Sequence, residues 1–450
     1  MLDGPKRASS HERHFLTLIL KSALSLVGKG SSQVNSVVTL LLVGYWRDAT
    51  AAGSYSLGVK YTSLALGLTT MGLDALLIRD IAQDVRRSKN YLRNLSLLRL
   101  VMGCLGYGVV ALFVHLIPSY TARTVRVVLL LALGLVPEGL YRLYQSALIA
   151  VDAYAALAWV GGIRAILGLT AGVGALWSGA SLEILVLLQV AVSAFSLLMI
   201  LLPLTAQVRR VCALPEMEGC SRLGWGRAGQ WLREASSFAV IDGLFALDGQ
   251  IDLLLLSFFL GETDVGYYGI AQGIVAIPML LLYAVDTVVY PVLSRSVVRT
   301  RRTGQIYRRL MVGILVGVVP LALLMGIGAR VVVPHSLGQF VPILAPLYWL
   351  IVSWAVHFIN VPSARLIIAL GRQTHVAVFM TVGVAITAFL SLVTTPSLGT
   401  QGPAMARTLS AIVYALLCTI AALVLLARVR GRKDGTAGNN PKGLLSSGLE

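Results

Sequence analysis

Three basic residues lie deep within apolar stretches of the chain, where a charged side chain has few partners. Lys29 and Lys60 each share a helical face with small polar residues, and Arg164 interrupts the apolar stretch 154–177. A charge at the centre of a bilayer costs roughly 2.5 to 3.5 kcal/mol, so it needs a water-filled cavity or an ion-pair partner. A cationic cavity suits an anionic ligand, and the arginine guanidinium matches phosphate oxygens. We therefore predict that these residues bind a phosphate-bearing substrate, with ion pairing or snorkelling as the alternative.

Two further cations, Arg99 and Arg142, border the same apolar region and join the predicted substrate site. Glu138 stands one helical turn before Arg142 and can pair with it. Both arginines are also close enough to the ends of their apolar stretches for the side chain to snorkel to the polar surface. Substrate binding and snorkelling therefore both stay open for these two residues.

Acids and tyrosines mark a second group of candidates, mostly in the carboxy-terminal half. Asp252 and Asp286 lie in apolar stretches, and Asp74 closes the stretch that holds Lys60. Because an intramembrane acid can bind a coupling cation or proton, we predict these three acids as ion-coupling candidates. Tyr283 and Tyr290 share a helical face with Asp286 and are predicted to bond sugar hydroxyls. Packing inside a helix bundle is the other interpretation of both tyrosines.

The composition assigns the chain to the membrane proteins. Hydrophobic residues make up 57% of its 450 residues, charged residues make up 13%, and the mean hydropathy is +0.80. A helix needs about 20 apolar residues to cross a bilayer, and the chain divides into twelve such stretches. We therefore predict an all-α polytopic membrane protein. The predicted spans are 16–45, 53–78, 95–117, 125–149, 154–177, 182–206, 235–260, 265–293, 310–328, 341–364, 374–395 and 402–427.

Basic residues are distributed unevenly over the loops between these spans. One set of loops carries 26 Lys and Arg, whereas the alternate set carries four. Cytoplasmic loops retain positive charge, so both termini are predicted to be cytoplasmic. The net charge of +17 is spread over these loops, without a basic domain or interleaved aromatic residues. This pattern argues against a nucleic-acid partner and favours membrane lipids as neighbours.

An internal repeat divides the predicted spans into two groups of six. A shift of 213 positions aligns Thr50 with Thr263, Gly53 with Gly266 and Tyr55 with Tyr268. The repeats have the same membrane orientation, which is a parallel arrangement found in transporters that bind substrate between their halves. We therefore predict two pseudo-symmetric six-helix bundles around a central cavity. Their ranges are an amino-terminal lobe at 1–206, a cytoplasmic linker at 207–234, a carboxy-terminal lobe at 235–427 and a polar tail at 428–450.

Sequence signatures of enzymes and metal sites are missing from the chain. It contains no Walker sequence, HExxH, GxSxG or metal-ligand cluster, and its four cysteines have neither zinc spacing nor a disulfide pattern. We therefore predict no catalytic residues, no metal and no cofactor. Transport is the leading class of function.

Three segments carry a resemblance to a known family. They are "GSYSLGVKYTSLALGLTTMGLDALLIRDIA" at 53–82, "DLLLLSFFLGETDVGYYGIAQG" at 252–273 and "PSLGTQGPAMARTLSAIV" at 396–413. They resemble Wzx-type polysaccharide flippases of the multidrug/oligosaccharidyl-lipid/polysaccharide exporter superfamily. By position, Asp74 and Arg79 match the end of the second span of these flippases, and Asp252 matches the acid of their seventh span. The asparagine that many relatives carry in the eleventh span has no counterpart here, so its role is not transferred.

The resemblance implies a substrate and a cellular setting. Such flippases move an undecaprenyl-pyrophosphate-linked oligosaccharide from the cytoplasmic to the outer leaflet of the bacterial inner membrane, for O-antigen or exopolysaccharide export. The implied partners are this lipid-linked glycan, membrane lipids, polysaccharide polymerase and chain-length proteins, and a coupling cation or proton. The protein is expected not to be an enzyme.

Three alternatives share parts of this pattern. A cation-coupled multidrug exporter of the same superfamily would favour acids and aromatic residues over Lys29, Lys60 and Arg164 in its cavity. A lipid II flippase typically has two spans beyond the twelve. A membrane glycan polymerase or ligase generally carries a large outer loop with catalytic residues, and the outer loops predicted here are short.

Overall fold

The computed structural model describes residue 30 and residues 33–70, 72–83, 88–212, 243–299, 303–336 and 338–434. Lys29 and most of the first predicted span lie outside these residues. All regular structure within the described ranges is helical. The helices are α1 Gln33–Trp46, α2 Ala49–Thr70, α3 Leu73–Gln83, α4 Ser88–Leu116, α5 Ala122–Ala132, α6 Leu135–Ala150, α7 Tyr154–Trp177, α8 Leu182–Cys212, α9 at 243–248, α10 Ile251–Phe259, α11 Glu262–Arg299, α12 Thr303–Ser336, a 3₁₀ helix Gly338–Ile343, α13 Leu344–Ala369, α14 Gln373–Leu398 and α15 Gln401–Asp434.

Nine helical segments among the described residues are long and apolar enough to cross a membrane. They correspond to the third to sixth and the eighth to twelfth predicted spans, and the fifth coincides with α7. The polytopic all-α class is therefore confirmed, while the count of twelve stays a prediction. Helices α8 and α15 continue beyond the predicted spans to Cys212 and Asp434, because a helix satisfies its own backbone hydrogen bonds where it leaves the bilayer.

Three predicted spans are interrupted. The second span breaks between α2, which ends at Thr70, and α3, which begins at Leu73, and Gly72 before α3 has a positive φ of 67°. The fourth span breaks at 133–134 between α5 and α6, and the seventh breaks at 249–250 between α9 and α10. Hydropathy averages over a whole window, so it did not predict these breaks.

The two ends of the helix bundle differ in how the halves of the chain pack. At the end that carries the connections 47–48, 117–121, 178–181 and 260–261, named here the short-loop end, one buried hydrophobic core joins residues of both halves, from Leu57 and Val128 to Leu253 and Leu347. The opposite end carries the connections 151–153 and 370–372 and is named here the basic end. There the described residues form separate cores. One contains residues between Leu73 and Leu204, and another contains residues between Val289 and Ala422. The halves, 30–212 and 243–434, therefore share a core at the short-loop end alone among the described residues.

Helices α2 and α11 cross where the halves meet at the short-loop end. A Cβ atom added to Gly53 would lie 1.9 Å from the Glu262 carbonyl oxygen, and one added to Gly266 would lie 1.8 Å from the Ala49 carbonyl oxygen. Only glycine permits so close an approach of two backbones. The Thr50 and Thr263 hydroxyls, 213 positions apart in the chain, are 2.9 Å apart in space. Positions that the repeat aligns therefore contact each other.

Hydroxyl and carboxylate groups add polar contacts between the halves beside this crossing. The Tyr120 hydroxyl lies 2.6 Å from the Ser257 hydroxyl and 3.1 Å from the Tyr61 hydroxyl. Glu262 accepts hydrogen bonds from the Thr121 backbone N–H at 3.0 Å and from the Thr121 hydroxyl at 2.8 Å. Burial raises the pKa of the Tyr120 phenol, so this residue stays protonated and able to donate.

Candidate functional site

The break in the seventh span leaves backbone carbonyls open in the middle of the bundle. In a continuous helix the Leu253 N–H would bond to the Gly249 carbonyl, but it bonds to the Asp252 carboxylate at 2.8 Å instead. The Asp248 and Gly249 carbonyls then accept hydrogen bonds from two cations of distant helices, Arg407 at 3.0 Å and Lys60 at 3.2 Å. Unwound carbonyls at membrane depth are tolerated where such donors satisfy them.

Asp252 forms the centre of a buried polar cluster in the carboxy-terminal half. Its side chain has no solvent exposure, and its Oδ2 accepts hydrogen bonds from the Tyr268 hydroxyl at 2.7 Å, Gln272 Nε2 at 2.8 Å and Arg407 Nη1 at 2.8 Å. Arg407 Nη2 also lies 3.8 Å from the Asp248 carboxylate. The predicted ion-coupling residue Asp252 is therefore neutralised by a cation of the protein itself.

Lys60 lies between the two halves, on α2. It is eleven residues from Ala49, which places it about 16 Å along the helix axis from the short-loop end. Its Nζ donates to the Gly249 carbonyl of the other half, and among the described residues no carboxylate lies within ion-pair distance of it. Asp252 attracts Lys60 from beyond ion-pair distance, but that carboxylate is already bonded to Arg407. Because Lys60 has no ion-pair partner among the described residues, it can still bind an anion.

A second charged cluster lies within the amino-terminal half and consists of Glu138 and two arginines predicted to bind substrate, Arg142 and Arg164. Glu138 on α6 lies 2.5 Å from Arg164 on α7 and 3.5 Å from Arg142, one turn along α6. The Arg164 guanidinium also lies over the Tyr141 ring, 4.5 Å from its centroid. The Arg164 side chain is 8% exposed, whereas that of Arg142 is 44% exposed. One carboxylate thus serves two cations, and Arg142 is the accessible one.

Arg99 and Asp74 form an ion pair that joins α4 to α3. The Arg99 side chain is buried and also donates to the Thr69 carbonyl at 3.3 Å, while Asp74 is one-quarter exposed. The pair bonds across the end of α2, where the second span breaks. Arg99, predicted to bind substrate, and Asp74, predicted to couple ions, are thus partners of each other.

The remaining predicted residues are placed only in part. Lys29 lies outside the described residues, and nothing is described of the side chains of Tyr283 and Asp286. Tyr290 is 42% exposed, and the Arg365 guanidinium lies 6.0 Å from the centroid of its ring. The predicted roles of these residues stay predictions.

Arg407 is the residue that sequence reasoning left out of the predicted site. Asp248 and Asp252 are i,i+4 neighbours in an apolar span, so two acids on one helical face require a nearby cation. The need of these two acids for a cation was the sequence signal that could have pointed to Arg407. Within the described part of the chain, no three His, Cys, Asp or Glu side chains lie close enough together to hold a metal ion.

Comparison with solved structures identifies the fold. The lipid II flippase MurJ in an inward-closed conformation superposes with a TM-score of 0.65 at 13% identity, over 93% of this chain and 94% of that chain. A MOP superfamily transporter from Pyrococcus furiosus, described as having a binding pocket of reverse polarity, gives a TM-score of 0.62 at 13% identity, over 92% of this chain and 96% of that chain. A eukaryotic MATE transporter gives 0.61 at 15% identity, over 93% and 99%. Identities this low establish the fold alone.

Comparison with sequence families identifies the relatives. No curated protein sequence matches this chain significantly. Residues 52–341, which include the break of the seventh span and both glycines of the helix crossing, match the family described as "Polysaccharide biosynthesis protein". This multi-pass membrane protein, with the fold of the MOP superfamily, therefore belongs to the polysaccharide biosynthesis protein family.

Proposed function

We propose that the protein moves an undecaprenyl-pyrophosphate-linked oligosaccharide from the cytoplasmic to the outer leaflet of the bacterial inner membrane. The observation that carries this proposal is Lys60, a cation at the seam of the two halves that forms no ion pair with a carboxylate of the described residues. A pyrophosphate supplies an anionic partner at ion-pair distance. The family match and the resemblance to Wzx-type flippases support a lipid-linked glycan as its carrier.

The packing of the halves supports transport by alternating access. The shared core closes the short-loop end, which the distribution of basic residues predicts to face the outside. At the basic end the halves have separate cores, and they meet there through contacts such as that of Gly67 on α2 with Ala246 on α9, which would have to open for the halves to part on the cytoplasmic side. We infer an inward-open starting state, in which the charged headgroup enters between the halves while the polyprenyl tail stays in lipid. Rocking of the halves then parts them at the short-loop end and exposes the headgroup to the outside.

The contacts of the four cations in the predicted substrate site indicate which of them bind substrate and which position other residues. Lys60 and the half-exposed Arg142 are available to the pyrophosphate, whereas Arg99 and Arg164 are buried against carboxylates. Removing the carboxylate partner of a buried arginine leaves an uncompensated charge, so these pairs hold the site in shape. We therefore assign binding to Lys60 and Arg142 and positioning to Arg99 and Arg164.

The same contacts bear on ion coupling. A coupling cation at Asp252 would compete with Arg407, and one at Asp74 would compete with Arg99. A proton would have to displace the same arginines from their carboxylates. Nothing is described of the Asp286 side chain, so its ion-coupling role stays a prediction.

Complementation of a flippase-null bacterial strain tests the proposal. We expect wild-type protein to restore surface polysaccharide, Lys60→Met to lose at least about tenfold in export, and Lys60→Arg to retain most of it. Arg126→Met is the matched control, because Arg126 is an exposed cation at the short-loop end, 3.7 Å from Glu183. Membrane levels of all variants are compared by immunoblot. Full export by Lys60→Met at normal membrane levels would remove Lys60 from the substrate path and the main support of the proposal.

A further inference from the structure

We propose that Lys60 is a latch between the two halves, which the substrate headgroup opens. In the empty protein Lys60 bonds to the Gly249 carbonyl, and an anionic headgroup draws it away. The identity of that headgroup rests on the proposed function. The latch itself rests on contacts of the described residues.

The acceptor of the latch exists because the seventh span is broken. The Asp252 carboxylate takes the Leu253 N–H and so frees the Gly249 carbonyl. Arg407 takes the neighbouring Asp248 carbonyl, but it belongs to the same half as the break and moves with it. Lys60 belongs to the other half, so its bond is the one of these two that must break when the halves separate.

The two cations at the break are held with different strength. Arg407 bonds to a carboxylate at 2.8 Å as well as to a carbonyl, whereas Lys60 bonds to a neutral carbonyl at 3.2 Å. Hydrogen bonds between two ionised groups are shorter and stronger than those with a neutral partner. A pyrophosphate therefore competes successfully for Lys60 and leaves Arg407 in place.

The position of Lys60 determines what its release allows. On α2 it lies seven residues, about 10 Å, from Gly53, where α2 and α11 cross. Between these two points α2 is held against the other half, and beyond Lys60 it still packs on α9, where a Cβ on Gly67 would lie 2.3 Å from Ala246 Cβ. The Lys60 bond thus opposes separation of the halves at the short-loop end. Substrate binding removes this restraint before the outward movement.

Distances between spin labels at the short-loop end test the latch. Ser119 lies in the connection 117–121, and Gln339 lies beside Phe340 of the shared core, so both are at the short-loop end. Ser119→Cys and Gln339→Cys place labels on exposed positions of the two halves in an otherwise cysteine-free protein. The purified protein is reconstituted in phosphatidylcholine nanodiscs and measured alone, with undecaprenyl pyrophosphate and with undecaprenol. Lys60→Met, Lys60→Arg and the control Arg126→Met are measured in the same way, after size-exclusion chromatography shows that each is monodisperse.

The expected result is specific to the charge of Lys60. Undecaprenyl pyrophosphate should increase the long-distance population of the wild type, and undecaprenol should not. Lys60→Met should show that population without ligand, with roughly a tenfold change in the ratio of closed to open states, the size expected for loss of one hydrogen bond to a charged group. Lys60→Arg and Arg126→Met should behave like the wild type.

Two other results would overturn the inference in different ways. If Lys60→Met keeps the wild-type distances and still responds to undecaprenyl pyrophosphate, the latch is wrong while the proposed substrate stands. If Lys60→Met opens but the wild type ignores undecaprenyl pyrophosphate, control by this headgroup is wrong, and the proposed substrate loses its support as well.

Discussion

The two halves place different chemistry at equivalent positions of the repeated fold. In the amino-terminal half Asn35 Nδ2 donates to Gln189 Oε1 at 2.8 Å, and Gln189 Nε2 donates to the Thr39 hydroxyl at 3.3 Å. A shift of 213 positions turns Asn35 and Thr39 into Asp248 and Asp252 of the carboxy-terminal half. There, Arg407 of the last helix bonds to both residues, in the place that Gln189 of α8 takes in the first half.

Asn35, Thr39 and Gln189 form a cluster without charges, named here the neutral cluster. It shows that this fold needs hydrogen bonds at these positions but does not need charges. Tyr55 and Tyr268 are buried in both halves, with 2% and 0% exposure, so the surroundings are similarly dry. Taking an acid and an arginine out of water costs free energy that amides and hydroxyls avoid. The charges of the carboxy-terminal half are therefore an addition to the repeated architecture, and they accompany the helix break that receives Lys60.

Removing Arg407 should have the largest effect on the comparison. Arg407→Met leaves the buried Asp252 carboxylate without its ion-pair partner, which we expect to destabilise the protein by about 3–5 kcal/mol. Reversible unfolding in mixed detergent micelles measures the loss. Asp252→Asn combined with Arg407→Gln should recover most of the lost stability, because the two amide side chains imitate the neutral cluster of the amino-terminal half. A double variant as unstable as Arg407→Met would show that shape, and not charge, distinguishes the halves.

Disturbing the helix crossing should have the next largest effect. Gly266→Ala and Gly53→Ala each place a Cβ within 2 Å of a carbonyl oxygen of the other half, so the helices must move apart at a cost of about 1–3 kcal/mol. Gly162→Ala is the control, because a Cβ there meets nothing within 4 Å. The melting temperature in detergent should fall for the first two and stay level or rise for the control. Equal melting temperatures for all three would contradict the contact between repeats.

Breaking the neutral cluster should cost less than breaking the charged one. Gln189→Leu removes its bonds to Asn35, Thr39 and the Gly168 carbonyl, and the polar groups left without partners cost about 1–3 kcal/mol. The same unfolding assay should place Gln189→Leu between the wild type and Arg407→Met. Export should fall only in proportion to the amount of folded protein. A specific loss of export would assign a functional role to the neutral cluster as well.

The smallest predicted effect comes from the two threonines that contact each other. Thr50→Val and Thr263→Val each remove one side of a single exposed hydrogen bond, worth about 0.5–1.5 kcal/mol. Because both changes remove the same bond, their effects should be equal, and the double variant should lose no more than either single variant. Additive losses in unfolding experiments would show that the hydroxyls have separate partners.

The sequence was sufficient for the membrane class and for the positions of most helices. The span predicted at 154–177 is α7, and the aligned pairs Thr50/Thr263 and Gly53/Gly266 contact each other. Long apolar runs and identical spacing carry this information locally. Partners were harder to predict, because Asp74 and Arg99 are 25 residues apart and Asp252 and Arg407 are 155 apart. The partner of Lys60 is a backbone carbonyl, which leaves no sequence signal at all.

The separation of Asp252 and Arg407 along the chain also sets an order of assembly. At about 5–20 residues per second, roughly 8–30 s pass between synthesis of the acid and of the arginine 155 residues later. During that time the seventh span holds an unpaired carboxylate and a broken helix, both costly in lipid. Lys60, which bonds to the break in the folded protein, is made long before either. Biogenesis of the carboxy-terminal half can therefore finish only when its last helix arrives, and until then the first half supplies the nearest positive charge.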